Sequence, residues 1–175
     1  MPITLREATE ADSGFLLLLY ASTRAAELAN TGWDPPTCAA FVRMQFDLQQ
    51  RSYRLRYPDS TVRLICLGAH DGAAPVGRLW TDFGADAVRL IDLSVLPAQR
   101  GMGIGTACLR SLLASAAMAG LPVHLQVETT NPARRLYLRL GFAPQEVQGL
   151  HLAMQWTPPS VCPDLQPEET CDEQA

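Results

Sequence analysis

An apolar, strand-like run, Val88 to Val95, leads into a glycine-rich turn, Arg100-Gly101-Met102-Gly103-Ile104-Gly105-Thr106, that opens directly into a helix-patterned segment. Residues of these types in this order suit one kind of chemistry. A glycine turn at a helix N-terminus presents several backbone N–H groups that can hold a phosphate. Glycine lets the backbone approach such a ligand and adopt positive φ without strain. The chain is thus expected to bind something that carries phosphate.

Other phosphate-binding patterns fit less well. A dinucleotide fingerprint needs Gly-x-Gly-x-x-Gly, and Gly101-Met-Gly103-Ile-Gly105-Thr breaks that spacing. An ATPase-type phosphate loop needs Gly-Lys-Ser/Thr, and the chain has no lysine at all. A purely structural turn would not require three glycines, each of which costs backbone entropy.

The elements that must position this turn are legible from periodicity. Ile3 to Glu7 alternates like a strand, and a helix is expected from about Asp12 to Leu28. After the turn cluster Thr31–Pro36, a second helix runs from about Thr37 to Arg56, with Phe41, Met44, Leu48 and Leu55 as its apolar stripe. Val62–Leu67, Pro75–Trp80 and Val88–Val95 read as an antiparallel meander, with turns at His70-Asp71-Gly72 and Phe83–Asp86. A third helix runs to about Ala119 on the stripe Leu109, Leu112, Leu113, Ala116 and Ala117. Leu121–Val127 is a strand; Asn131 and Pro132 start a last helix whose buried residues are Ala133, Leu136, Tyr137 and Leu140. Phe142–Val147 and Leu150–Trp156 complete the sheet. Val88 to Val127 is a βαβ crossover, which makes its two strands parallel. The fold class is α/β (α+β): a mixed, mostly antiparallel sheet with a central parallel pair, flanked by about four helices.

Two motifs now stand around one βαβ unit: Arg100-x-x-Gly103-x-Gly105 after a strand, then Asn131-Pro-Ala-Arg-Arg-Leu-Tyr137-Leu-Arg-Leu-Gly141-Phe142. Together they resemble the acyl-CoA-binding and helix motifs of the GNAT superfamily of N-acetyltransferases, over roughly residues 3 to 156. Gln45-Phe46-x-x-Gln49-x-x-x-Tyr53-Arg54-x-x-Tyr57-Pro58 resembles a group of uncharacterised bacterial members. The resemblance implies acetyl-CoA as co-substrate and transfer of its acetyl group to a primary amine of a small-molecule or peptide acceptor. It places the pyrophosphate on the amides from Arg100 to Thr106. It lays the pantetheine along Leu93 to Val95, in a splay between the parallel strands, with the Val95 N–H polarising the thioester carbonyl. Family members are often dimers, so a homodimer is a further expectation.

The same resemblance makes Tyr137 the general acid. A phenol with a pKa of about 10 is protonated at neutral pH and can donate to a departing thiolate. The bland reading is a core tyrosine on an apolar stripe. Many members carry an Asn seven residues before this Tyr, where Thr130 stands here; Asn131 is either a helix cap or a pantetheine contact. The base is open between Asp92, read as alternating with Leu90 and Ser94 on one strand face, and Glu128. Gln45, Gln49 and Tyr53 share a helix face. With Tyr57 they either line the acceptor pocket or form a solvated face. The rival to an enzyme is a non-catalytic acyl-CoA-binding or sensing module of the same fold.

Composition bounds the rest. The chain has 175 residues, 47% apolar and 18% charged, as expected for one globular domain. No run reaches the roughly 18 apolar residues of a membrane span, and acids rather than bases precede Phe15–Tyr20. A cytoplasmic location is expected. Five irregularly spaced cysteines argue against a disulfide framework or a zinc site, and no metal is expected. Net charge is −4, but the last nineteen residues hold five acids and no base. The body is therefore near neutral, which argues against a nucleic-acid-binding surface. Residues 1–156 are read as the domain and 157–175 as a disordered acidic tail.

Overall fold

A computed structural model describes residues 2–68 and 73–159. The turn expected at 70–72 and nearly all of the expected tail lie outside the described residues. The elements are β1 (Ile3–Glu7), α1 (Ser13–Leu28), α2 (Pro35–Arg56), β2 (Thr61–Leu67), β3 (Pro75–Phe83), β4 (Val88–Val95), α3 (Ile104–Met118), β5 (Val123–Glu128), α4 (Arg134–Arg139), β6 (Ala143–Gln148) and β7 (His151–Trp156). They build a seven-stranded sheet in the order β1-β2-β3-β4-β5-β7-β6. Every pairing is antiparallel except β4 with β5, which the α3 crossover makes parallel.

The core follows from the apolar stripes. On one face of the sheet, Ile104, Cys108, Leu109, Leu112, Leu113 and Ala116 of α3 pack on Leu79, Val88, Leu90, Val123, Leu125 and Val127. Leu136 and Tyr137 of α4 join them. Ala117, expected in that stripe, is exposed. Smaller clusters hold the opposite layer. Tyr20 of α1 meets Val42 and Phe46 of α2, and Phe15 and Leu16 cover Leu64 and Cys66 of β2. Arg6 on β1 grips Asp12 with two hydrogen bonds of 2.8 and 2.7 Å, fixing the start of α1 to the sheet.

Three expectations need correction. The apolar stripe of α2 faces outward: Met44, Leu48 and Leu55 are 49%, 55% and 76% exposed. The buried stripe is instead Val42 and Phe46, continued by Gln49 and Tyr53, because α2 must pack on α1 at one end and over Trp80 at the other. The last helix is one short piece. Asn131 Oδ1 accepts from the Ala133 N–H at 2.9 Å, capping a tight turn, and α4 itself begins at Arg134.

The third correction concerns β4. Its register against β3 runs Leu93 with Leu79 and Asp92 with Trp80, then jumps to Leu90 with Thr81. Ile91 is the surplus residue of a β-bulge. Leu90 therefore shares the α3 face with Leu93 and Val95, while Asp92 and Ser94 stand on the other face with Trp80 and Arg78. Asp92 does not alternate with Leu90 on one face.

Candidate active site

The bulge marks the place where the central strands part. β4 pairs with β5 only from Val88/Val123 to Leu90/Leu125. Beyond that, β4 stays with β3 as far as Val95 and β5 stays with β7 as far as Glu128. The Leu96 N–H donates to the Val76 carbonyl at 2.8 Å, which makes 76/96 a hydrogen-bonded pair. By the alternation of an antiparallel ladder, Gly77/Val95 and Leu79/Leu93 are non-bonded pairs. The N–H and C=O groups of Leu93 and Val95 therefore point away from β3, into the gap. Gly77 lets β3 come this close: a Cβ there would collide with the Ser94 carbonyl oxygen. Arg100 Nε donates to the Val95 carbonyl at 2.9 Å, tying the glycine turn to the strand end.

The turn itself depends on two glycines. Gly101 and Gly103 have φ of 79° and 78°, in the left-handed region that favours glycine. Gly103 is the N-cap of α3 and no side chain caps that end. The Ala107 N–H takes the Gly103 carbonyl at 2.9 Å, so Ile104, Gly105 and Thr106 offer N–H groups with no intrahelical partner. Partial positive charge collects there and favours an anion. Gly105 is within the helix and has room for a Cβ. Met102 is exposed and outside the cavity lining.

These parts surround a cavity of about 920 Å³. Leu93, Val95, Arg100, Gly101, Gly103, Gly105 and Thr106 line it, together with Asn131, Glu128, Tyr137, Gln49 and Tyr53. Gln45 and Tyr57 do not line it. A smaller hollow of about 410 Å³ on the outer side of α2, among Asp47, Gln50, Arg51 and Arg54, brings together no groups suited to acyl transfer.

Tyr137 is buried, its ring 5.6 Å from that of Phe142. Burial, reinforced by the Asp92 carboxylate, pushes its phenol up to about 12. Tyr53 is likewise raised, first by burial and then by Asp92. The two carboxylates differ sharply. Asp92 Oδ2 accepts from Arg78 Nε at 2.9 Å, and both its oxygens accept from Ser94 Oγ. Glu128 is exposed at the end of β5, and its carboxylate has no hydrogen-bond partner among the described residues. No cluster of His, Cys, Asp and Glu among the described residues has the arrangement of a metal site.

Sequence reasoning missed Tyr20, Thr23, Arg24 and Glu27 of α1, which line the cavity from a helix whose pattern signals only packing. It also missed Arg78. A charged residue inside the apolar strand Pro75–Phe83 was the available signal for it.

Comparison with known proteins agrees with this geometry. The profile of the Acetyltransferase (GNAT) family matches residues 26–142. The fold is similar to that of the PaiA N-acetyltransferase from Thermoplasma acidophilum in complex with coenzyme A, at TM-score 0.66 and 16% identity, covering 90% of this chain and 99% of that one. An acetyltransferase from Thermus thermophilus superposes at TM-score 0.62 with 24% identity, over 90% and 97%. A protein described as histone acetyltransferase HPA2 and related acetyltransferase, from Corynebacterium glutamicum, gives 0.63 and 23%, over 91% and 98%. No curated protein sequence matches the chain. With its family profile spanning the glycine turn and the Tyr137 helix, the chain belongs to the GNAT family of acetyltransferases.

Proposed function

We propose that the chain is an acetyl-CoA-dependent N-acetyltransferase that transfers directly to a primary amine. The observation that carries this reading is the parting of β4 and β5 after Leu90/Leu125, at a point framed by the uncapped N-terminus of α3 and by Tyr137. The amides of Ile104, Gly105 and Thr106 hold the diphosphate. The exposed main-chain groups of Leu93 pair with the pantetheine as a neighbouring strand would. The Val95 N–H then lies beside the thioester carbonyl and stabilises the oxyanion that develops there.

Glu128 serves as the base, directly or through one water, because Asp92 is already engaged by Arg78 and Ser94. The neutral amine adds to the carbonyl carbon, the C–S bond breaks with its electron pair on sulfur, and the Tyr137 hydroxyl supplies the proton that makes free CoA thiol. The phenolate regains its proton from the solvent, and the amine's proton leaves through Glu128.

Two measurements on the full chain test this. Calorimetry with acetyl-CoA should show saturable heat, and a thiol-release assay over amino acids, amines, polyamines, aminoglycosides and peptide N-termini should show turnover with at least one. No heat at millimolar ligand overturns the reading altogether. Binding without thiol release across the panel replaces it with an acyl-CoA sensor.

A further inference from the structure

Arg78 is the least expected side chain in the cavity wall. It stands on β3, on the sheet face turned toward α1 and α2, and is only 3% exposed. A guanidinium stays charged at any physiological pH and carries five N–H donors. Buried charges of this kind need their donors satisfied. Nε is satisfied by Asp92 Oδ2 at 2.9 Å. Nη2 reaches Gln49 Oε1 only at 3.4 Å, the outer limit of a hydrogen bond. Nη1 has no acceptor among the described residues, although it is buried. The Trp80 ring backs the guanidinium at 5.3 Å.

The satisfied and unsatisfied edges are different edges. Asp92 takes the Nε side. The end formed by Nη1 and Nη2 is held by one long, neutral contact that a stronger acceptor would displace. Two parallel N–H groups at that end match the two oxygens of a carboxylate. Arg24 against Glu27 and Arg78 against Asp92 are paired in the surrounding wall, and its other formal charges are two positive, Arg100 and Arg139, and one negative, Glu128. Such a wall offers a multiply charged cation no net attraction, whereas a molecule bearing one amine and one carboxylate brings no net charge to it.

We propose that Arg78 binds the carboxylate of the acceptor through Nη1 and Nη2, with Gln49 moving aside, and that the acceptor is therefore a free amino acid or a similar amine carrying a carboxylate. This rests on the reading of the chain as an N-acetyltransferase. Arg78 is assigned as an acceptor-binding residue, and Asp92 as the residue that positions it.

The test compares free amino acids with the corresponding amino-acid amides, and with polyamines, in the thiol-release assay. The expected result is turnover of one or more acids, with kcat/KM at least tenfold lower for the matching amide. Arg78→Lys keeps the charge but loses the fork; it should raise KM for the acid tenfold or more while leaving acetyl-CoA affinity within twofold. Because Arg78 variants can disturb the fold, a second measurement uses the unaltered protein. In CoA-saturated protein, the preferred acid should raise the melting temperature and its amide should not. Equal use of acid and amide, or a preference for polyamines, overturns the proposal while leaving the enzyme reading intact. Failure to bind acetyl-CoA overturns both.

Discussion

In the proposed reaction Tyr137 and Glu128 act as single groups, and their surroundings set what each can do. Because burial holds the Tyr137 phenol near 12, it remains a proton donor across the whole neutral range. Tyr137→Phe should lower kcat by about 10² to 10⁴-fold with acetyl-CoA affinity little changed, as steady-state kinetics and calorimetry would show. The pH–rate profile should have no alkaline limb from this group below about pH 11. The shift also bears on stability. A folded-state pKa above the unfolded value means the native state holds this proton more tightly, so the contribution is complete below pH 10 and is lost as pH climbs toward 12. Urea melts at pH 9 and 11 should show a smaller loss in Tyr137→Phe than in the unaltered chain. At this scale the sequence was informative about the glycine turn, where glycine type and spacing are themselves the signal. It was less so about the rest of the cavity wall, because Arg78, Arg24 and Glu27 come from elements that carry no recognisable motif and meet only through packing.

At the scale of elements, most boundaries were legible from period and punctuation, since glycine, proline and the apolar alternation act locally. Two features were not. The outward turn of the α2 stripe depends on what α2 packs against, which its own residues do not state. The surplus residue Ile91 leaves no mark on the alternation of Val88–Val95, yet it reverses which face Asp92 occupies. Gly77, unremarkable in sequence, sets the distance between β3 and β4. Gly77→Ala should destabilise the fold by about 1–3 kcal/mol, the usual cost of overpacking a close contact, and should raise KM for acetyl-CoA, because Val95 would be displaced. Chemical denaturation and kinetics would check both. The α3 helix supplies another test. Cys108 lies on its buried stripe, and burial pushes its thiol up to about 11. Cys108 and the buried Cys66 should resist alkylation at pH 8 under native conditions while the half-buried Cys38 reacts, read by peptide mass spectrometry.

A donor seated as proposed touches β4, β5, α3 and α4 together, and from that the behaviour of the whole molecule follows. Saturating acetyl-CoA at about 100 times its Kd should add about 2.7 kcal/mol to stability, seen as a higher Tm. Amide exchange should slow at Leu93 and Val95 in particular. A different prediction comes from composition. All 14 basic residues are arginine, and a guanidinium is far too poor a nucleophile to take an acetyl group at neutral pH. Prolonged incubation with acetyl-CoA should leave the protein without a single hydroxylamine-stable acetyl group on any side chain, as peptide mass spectrometry after hydroxylamine treatment would report. The chain thus offers its own reactive donor no competing ε-amine.

Four strands lie on one side of the seam in the sheet and three on the other, and only three laddered residue pairs stitch them together. An acyl donor seated there would offer each inner edge the hydrogen-bonding neighbour it otherwise lacks. Substrate and mortar would then be the same molecule. When the donor runs short, the protein should become easier to pry apart along that seam as well as idle, so protease cleavage near residues 91–95 and 126–131 should rise as the acetyl-CoA level falls.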